Sequence, residues 1–233
     1  MANPKTNAED ITMSYLGLRK SIGFIGLLVP IVLLIAGVFF LEGRIQPSIS
    51  HFYYTPMGNY FVGSMCAIGV FLGSYRGYKP QQDEILTDRY LGLIAGSAAV
   101  IVALFPADPV STIPVCADNE TSIVGTIHFS AAALFLACLG VFSFFKFPRY
   151  DSDKPRNPVK QGRVKYYKLY GAFIFASLIG IAAITVYEKA SCREFFIETW
   201  LFWLESIAVV SFGLSWLMKG EAMEHIQSLL PRR

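Results

Sequence analysis

Charged residues are scarce in this sequence: only 16% of its 233 residues are charged, whereas 54% are hydrophobic. A soluble domain carries about 25% charged residues, so the composition excludes an ordinary soluble globular protein. Several apolar runs instead reach or approach the ~20 residues that a helix needs to cross a bilayer. The composition therefore predicts an integral, multi-pass membrane protein.

The apolar runs predict an all-α, polytopic transmembrane six-helix bundle. The predicted spans are 21–41, 59–75, 89–106, 122–145, 169–187 and 195–218. Residues 1–20 and 219–233 are expected to form terminal segments on the cytoplasmic side of one transmembrane domain, 21–218. The first run lacks a small-residue cleavage site, so we expect it to remain as the first helix.

Basic residues are distributed unevenly between the two sides of the predicted bundle. Of the 20 lysines and arginines, 17 lie on the side of the termini, and the exceptions are Arg44, Lys189 and Arg193. Since cytoplasmic loops carry the excess of basic residues, both termini are predicted to be cytoplasmic. The expected location is a membrane, with the bacterial inner membrane as the first choice. The expected partners are membrane lipids and, as a further possibility, other membrane subunits; no nucleic acid is expected.

Cysteine is also scarce, and the four cysteines form no C-x-x-C motif for a metal or redox site. Cys66 and Cys138 fall inside predicted spans, where cysteine behaves as a small apolar group. Cys116 and Cys192 fall in extracytoplasmic connections, where disulfides form in oxidising compartments. A Cys116–Cys192 disulfide is one hypothesis, and two separate thiols are the other.

Polar residues occur where a membrane helix should be apolar, towards the predicted extracytoplasmic side. His128 lies early in the fourth span, and Glu205 lies near the middle of the last one. An ionisable group at such depth normally faces the bundle interior and a partner. The residues expected to line one outward-facing ligand cavity are His51, Asp108, His128, Glu198, Glu205, Ser48, Ser50, Tyr54 and Arg44.

The stretch PSISHFYYTPMGNYFVG, residues 47–63, is an unusual entrance to a membrane helix. Pro47 and Pro56 interrupt any helix across it. We expect residues 48–54 to fold over the outer mouth of the bundle and to bring His51 towards Asp108 and His128. The alternative is an interfacial loop in which His51 faces water.

Three functions fit this pattern, and the sequence leaves open whether the protein is an enzyme. The first is binding of a lipid or small amphiphile in the outer cavity. The second is an intramembrane metal-dependent lipid hydrolase, in which His51, His128 and Asp108 bind zinc; no H-x-x-x-H pair supports it. The third is an accessory subunit of a larger membrane complex. Purely structural hydrogen bonding of the polar residues is the remaining alternative.

A resemblance rests on three short motifs: Ser48-Ile49-Ser50 before the second span, Phe105-Pro106-Ala107-Asp108 after the third, and His128-Phe129 in the fourth. In this order they resemble a family of six-helix bacterial membrane proteins known only as a domain of unknown function. More distantly, the pattern is similar to the Frag1/DRAM/Sfk1 membrane proteins. The resemblance implies a six-helix fold with polar residues gathered at the outer face, and no particular activity.

Small residues recur at every fourth position in three of the predicted spans. They are Gly69 and Gly73, Gly92 and Gly96, and Ala172, Ala176 and Gly180. Such faces let helix backbones approach closely in a membrane, so contacts between helices of one chain are predicted there.

Overall fold

The fold was obtained as a computed structural model, which describes residues 4–77, 84–110, 122–149 and 158–220. Within these residues the chain forms six α-helices and no strand. They are α1 (Pro4–Phe39), α2 (Gly58–Ser74), α3 (Asp88–Leu104), α4 (Ile123–Val141), α5 (Pro158–Ser191) and α6 (Trp200–Lys219). A 3₁₀ turn, Ser50–Tyr54, precedes α2, and α4 continues into a π-helical turn, Phe142–Lys146.

Four segments are long and apolar enough to cross a membrane, which indicates a multi-pass membrane protein. They are Leu16–Phe39, Ile123–Lys146, Gln161–Ser191 and Trp200–Lys219. Helices α2 and α3 have 17 residues each. A helix of that length spans about 25 Å, less than the ~30 Å hydrocarbon core of a bilayer. The all-α class is confirmed, whereas a crossing by all six helices stays a prediction.

Helices α1 and α5 extend well beyond their predicted spans. Helix α1 has 36 residues and includes most of the predicted N-terminal segment. Helix α5 has 34 residues and begins at Pro158, eleven residues before the predicted span. Hydropathy detects only the apolar part of a helix, and lysine, arginine and glutamine have helix propensities close to that of alanine. Proline at the first position also suits a helix start, because its missing N–H has no partner there in any helix.

The six helices pack in a closed ring. Each helix contacts its neighbours in the chain, and α6 returns to pack against α1. Buried aromatic residues fill the middle: the indole of Trp216 contacts the rings of Tyr75, Phe142, Phe147 and Phe212, with centroids 4.9 to 5.8 Å apart. We call the end of the ring where α3 ends and α4 and α6 begin the site end, and the other the opposite end.

The backbones of helices α2 and α3 approach each other closely at their small residues, as the sequence predicts. A Cβ atom on Gly96 would lie 2.5 Å from the carbonyl oxygen of Gly69, and one on Gly69 would lie 2.8 Å from that of Gly96. The predicted contact within one chain is therefore confirmed for these two helices. It is wrong for most of the α5 pattern, since Ala172 and Ala176 are exposed. Helix α5 buries Ile174 instead, on another face.

The α2–α3 contact yields a matched pair of substitutions. Gly96→Ala should destabilise the protein by about 1–3 kcal/mol, because its new methyl group meets backbone atoms of α2 that cannot rotate away. Gly73→Ala should be neutral or stabilising, since a Cβ atom at Gly73 meets nothing within 4 Å and alanine favours a helix. Unfolding of both variants in detergent–denaturant mixtures measures the difference. Equal stabilities would contradict the tight crossing.

An ionic cluster joins α3 and α4 at the opposite end. The Lys146 ammonium group donates to the Glu84 carboxylate and to the carbonyl oxygen of Leu86, and lies 3.8 Å from Asp88. Nη1 of Arg149 lies 2.6 Å from the same Glu84 oxygen. Lys146, Glu84 and Asp88 have side-chain exposures of 4, 8 and 3%. We did not predict this cluster, although a lysine directly after the apolar run FSFF was a possible signal.

Candidate functional site at the site end

Residues 47–54 form a compact turn rather than an open loop. Ser48 begins it: its Oγ accepts a hydrogen bond from the backbone N–H of His51 at 3.1 Å. Serine stabilises a helical start by satisfying a backbone donor that has no partner in the helix. The 3₁₀ turn ends at Thr55, whose hydroxyl donates to the carbonyl oxygen of Phe52. The segment is therefore held locally by its own serine and threonine.

Helix α6 holds one side of this 47–54 segment. The backbone N–H of Ile49 donates to Oε2 of Glu205 at 2.7 Å, and that of Phe202 donates to the carbonyl oxygen of Pro47 at 2.8 Å. The ring of Phe52, which is fully buried, packs 6.0 Å from that of Phe202. The prediction that Glu205 points into the bundle is confirmed.

The segment that follows α3 holds the other side. The Tyr54 hydroxyl donates to the carbonyl oxygen of Ala107 at 2.7 Å. The His51 ring lies close enough to Asp108 and His128 for both residues to shift its pKa. The prediction that the 47–54 segment folds back and brings His51 to Asp108 and His128 is confirmed, and the alternative of a loop with His51 facing water is wrong.

The surroundings of His51 favour one tautomer. Nδ1 lies 2.6 Å from Oγ of Ser48, and the backbone of Asp108 is near the ring. A neutral imidazole carries one N–H. This arrangement favours a proton on Nε2, with Nδ1 accepting from the Ser48 hydroxyl.

Asp108 sits at the start of α4. Its Oδ2 accepts from the backbone N–H of Ser122 at 3.2 Å, and its Oδ1 accepts from the Ser122 hydroxyl. A negative charge is stabilised at a helix N-terminus, where backbone N–H groups are unpaired. A side chain at Gly125 would collide with this carboxylate, which explains the glycine in the first turn of α4.

His128, in α4, lies near His51 and Asp108 and is only 1% exposed. Its Nδ1 is 2.6 Å from the carbonyl oxygen of Phe105, and the ring also interacts with the backbone of Val102. These carbonyl groups belong to the last turn of α3 and have no partner within the helix. His128 therefore joins the start of α4 to the end of α3.

The surroundings shift two pKa values in the 47–54 segment. Burial lowers the pKa of His51, and the nearby His128 lowers it further, whereas the backbone and the carboxylate of Asp108 raise it. The net effect is a lowered pKa, so His51 remains neutral at pH 7. Burial also raises the pKa of Tyr54, as do Tyr53 and Asp108. The Tyr54 hydroxyl therefore keeps its proton and remains a donor.

Two spaces adjoin these residues. An interior cavity of about 40 Å³ is lined by apolar residues together with Ser50 and Glu205. It has room for about one water molecule, so it cannot hold a lipid. The second space is an open, apolar groove of about 590 Å³ between α3 and α4. Its lining includes Leu93, Ile101, Ile127 and Leu134.

The groove reaches towards Asp108 at the site end. Thr126 lines it, and the Thr126 hydroxyl donates to the carbonyl oxygen of Ser122, whose side chain binds Asp108. Asp108 is therefore two hydrogen bonds away from the groove. The apolar groove and the Asp108 carboxylate therefore lie next to each other along α4.

Seven of the nine predicted cavity residues lie in or against the 47–54 segment, and Glu198 and Arg44 do not. Glu198 is exposed and precedes α6, in a connection where Glu188 accepts hydrogen bonds from the backbone N–H of Phe195 and from Nε1 of Trp200. Arg44 is exposed and pairs with Glu42 at 3.9 Å. These two residues therefore lie apart from the other seven.

The structure bears differently on the predicted metal ligands and on the predicted disulfide. In the parts of the chain that the structure describes, no three histidine, cysteine or acidic side chains are grouped as metal ligands. Zinc at His51, His128 and Asp108 stays a hypothesis. Cys192 is disulfide-bonded, Cys66 and Cys138 are free, and Cys116 lies outside the described residues, as does tail 221–233.

The chain matches no family model, no curated protein and no solved structure. The resemblance to six-helix bacterial membrane proteins therefore stays a hypothesis, and the function has to be argued from the geometry.

Proposed function

We propose that this protein is a six-span membrane protein that binds a lipid or small amphiphile at its site end, without catalysing a reaction. The observation that carries the proposal is the α3–α4 groove. Its volume of about 590 Å³ is within the range of about 300–1,000 Å³ typical of ligand sites. The apolar lining suits an acyl chain, and the adjacent Asp108 and Ser122 suit a polar head group.

This proposal places the ligand in an open apolar groove beside the polar residues that we expected to line an outward-facing cavity. The 47–54 segment occupies the mouth of the bundle, and its polar side chains bind protein atoms rather than line an empty chamber. In the proposed arrangement, this segment shapes the head-group end and the groove accepts the chain. The proposed topology has the termini on the cytoplasmic side, which puts the site at the outer face of a bacterial inner membrane.

Photocrosslinking tests the proposal. The purified protein is incubated with a phospholipid that carries a diazirine on one acyl chain, and adducts are mapped by peptide mass spectrometry. We expect adducts to concentrate on the groove faces of α3 and α4. Ser130→Phe should reduce them to the level found on α5, because Ser130 lines the groove and is exposed to it.

The control is Ala183→Phe, which adds the same side chain to an exposed position on α5 outside the groove. It should leave the adducts on α3 and α4 unchanged. Adducts spread evenly over all lipid-facing helices would refute a defined lipid site. In that case the accessory-subunit hypothesis would remain, and stable co-purification of partner subunits would support it.

The metal-dependent hydrolase remains the less favoured alternative. It requires His51 as a ligand, but Nδ1 of that ring is hydrogen-bonded to Ser48. Zinc binding through Nδ1 would have to break that hydrogen bond. Elemental analysis of the purified protein would support this hypothesis if zinc were present in stoichiometric amount.

A further inference from the structure

The hydrogen bonds around Asp108 indicate which class of lipid head group suits the site end. Hydroxyl and imidazole groups near Asp108 bind other atoms of the protein. The Tyr54 hydroxyl donates to Ala107, the Ser48 hydroxyl donates to His51, and His51 and His128 are directed at backbone carbonyl groups of residues 105–108. The Ser122 hydroxyl donates to Asp108. Each of these hydroxyl and imidazole groups therefore already has a partner within the protein.

The Asp108 carboxylate can accept further hydrogen bonds. A carboxylate offers about four lone-pair sites, and Asp108 uses two of them, both for neutral donors of Ser122. Asp108 is partly exposed, so its carboxylate is accessible from outside the protein. Among the described residues, no ion pair includes Asp108.

The sequence around Asp108 does not supply a cation either. The stretch from Phe105 to Ile127 contains no lysine, arginine or histidine, and it includes Asp118 and Glu120 in addition to Asp108. Arg44, at the same end of the bundle, pairs with Glu42 and is about 80% exposed. Among the described residues, the Asp108 carboxylate therefore has no cationic partner, and its negative charge is complementary to a positively charged ligand group.

We infer that the groove takes a phospholipid whose head group ends in a primary ammonium, with that ammonium bound by Asp108. This inference rests on the proposed lipid site and names its ligand class. Charge complementarity selects the ammonium, and the apolar groove that begins one turn of α4 below Ser122 selects a lipid over a soluble amine. An ammonium donates up to three hydrogen bonds, whereas a trimethylated amine donates none.

The experiment compares two lipids that differ only in this group. The full-length protein in detergent is titrated with phosphatidylethanolamine or phosphatidylcholine of identical acyl chains, and bound lipid is counted by native mass spectrometry. A hydrogen bond to a charged group contributes about 1.5–3 kcal/mol, so phosphatidylethanolamine should bind about tenfold more tightly or better. Phosphatidylglycerol, which is anionic and has no ammonium, should bind no better than phosphatidylcholine.

Asp108→Asn should remove the preference, since asparagine keeps an acceptor for Ser122 and loses the charge. Glu42→Gln is the matched control: it removes another carboxylate of the same end, one that is 84% exposed, and should leave the preference intact. The lipid comparison on the unchanged protein needs no variant to fold.

The outcomes separate this inference from the proposed function. Equal binding of phosphatidylethanolamine and phosphatidylcholine, with crosslinks still in the groove, would overturn the ammonium assignment and leave the lipid site. Binding of neither lipid, with crosslinks spread over all helices, would overturn both. Free ethanolamine that binds as tightly as phosphatidylethanolamine would overturn the assignment to a lipid.

Discussion

Lys146→Met is expected to destabilise the protein by about 3–5 kcal/mol. Its ammonium group is almost completely buried between the carboxylates of Glu84 and Asp88, where it also donates to a backbone carbonyl. Removing one member of a buried ion pair leaves an uncompensated charge away from water, which is the costly case. Unfolding followed by tryptophan fluorescence in detergent–denaturant mixtures measures the loss.

Two further variants show whether charge causes the loss. Lys168→Met removes an exposed lysine from α5 and should change stability by less than about 0.5 kcal/mol. The double variant Glu84→Gln with Lys146→Met should recover part of the loss, because one of the buried carboxylates becomes neutral. If Lys146→Met were as stable as Lys168→Met, the ionic cluster would not contribute to folding.

Phe52→Ala has the second largest expected effect, about 3 kcal/mol. The Phe52 side chain is fully buried and is the apolar anchor of the 47–54 segment on α6, where it packs against Phe202. Truncating a buried phenylalanine loses its packing contacts and leaves a cavity. We expect the same unfolding assay to show the loss. Hydrogen exchange should show faster exchange of the Ile49 amide, whose bond to Glu205 depends on the anchored segment.

The control for Phe52 is Phe196→Ala, at a residue that is 84% exposed at the same end. It should leave both stability and the exchange of Ile49 unchanged. If Phe52→Ala destabilised the protein without faster exchange at Ile49, the segment would be held by its hydrogen bonds alone. If both variants behaved alike, the anchoring role of Phe52 would be refuted.

Prediction from the sequence succeeded where a residue's own chemistry determines its surroundings. Glu205 had to face inward because lipid offers a carboxylate no partner. Pro47 and Pro56 prevented a continuous helix, and the serines between them favoured a turn. Helix α2, predicted over 59–75, forms at Gly58–Ser74 because its apolar run is bounded by turn-forming residues on both sides.

Prediction failed where a contact between distant elements decides the outcome. Glu198 is seven residues before Glu205 and would share its face on a continuous helix. Helix α6 begins only at Trp200, and Glu188 of α5 accepts hydrogen bonds from Phe195 and Trp200 in the connection before it. The ion pair of Lys146 with Glu84 joins residues 62 positions apart, and no local pattern relates them.

The sequence by itself determined the all-helical class, the apolar helices suited to a membrane and the turn before α2, because these follow from hydropathy, length and proline geometry over short windows. The tertiary structure decided which polar groups meet. It placed His51 between Ser48 and Asp108, paired Arg44 with Glu42, and formed an open apolar groove between α3 and α4. The physical reason is that hydrogen bonds and ion pairs act over a few ångströms, so they depend on how helices rotate and pack, which residue order does not specify.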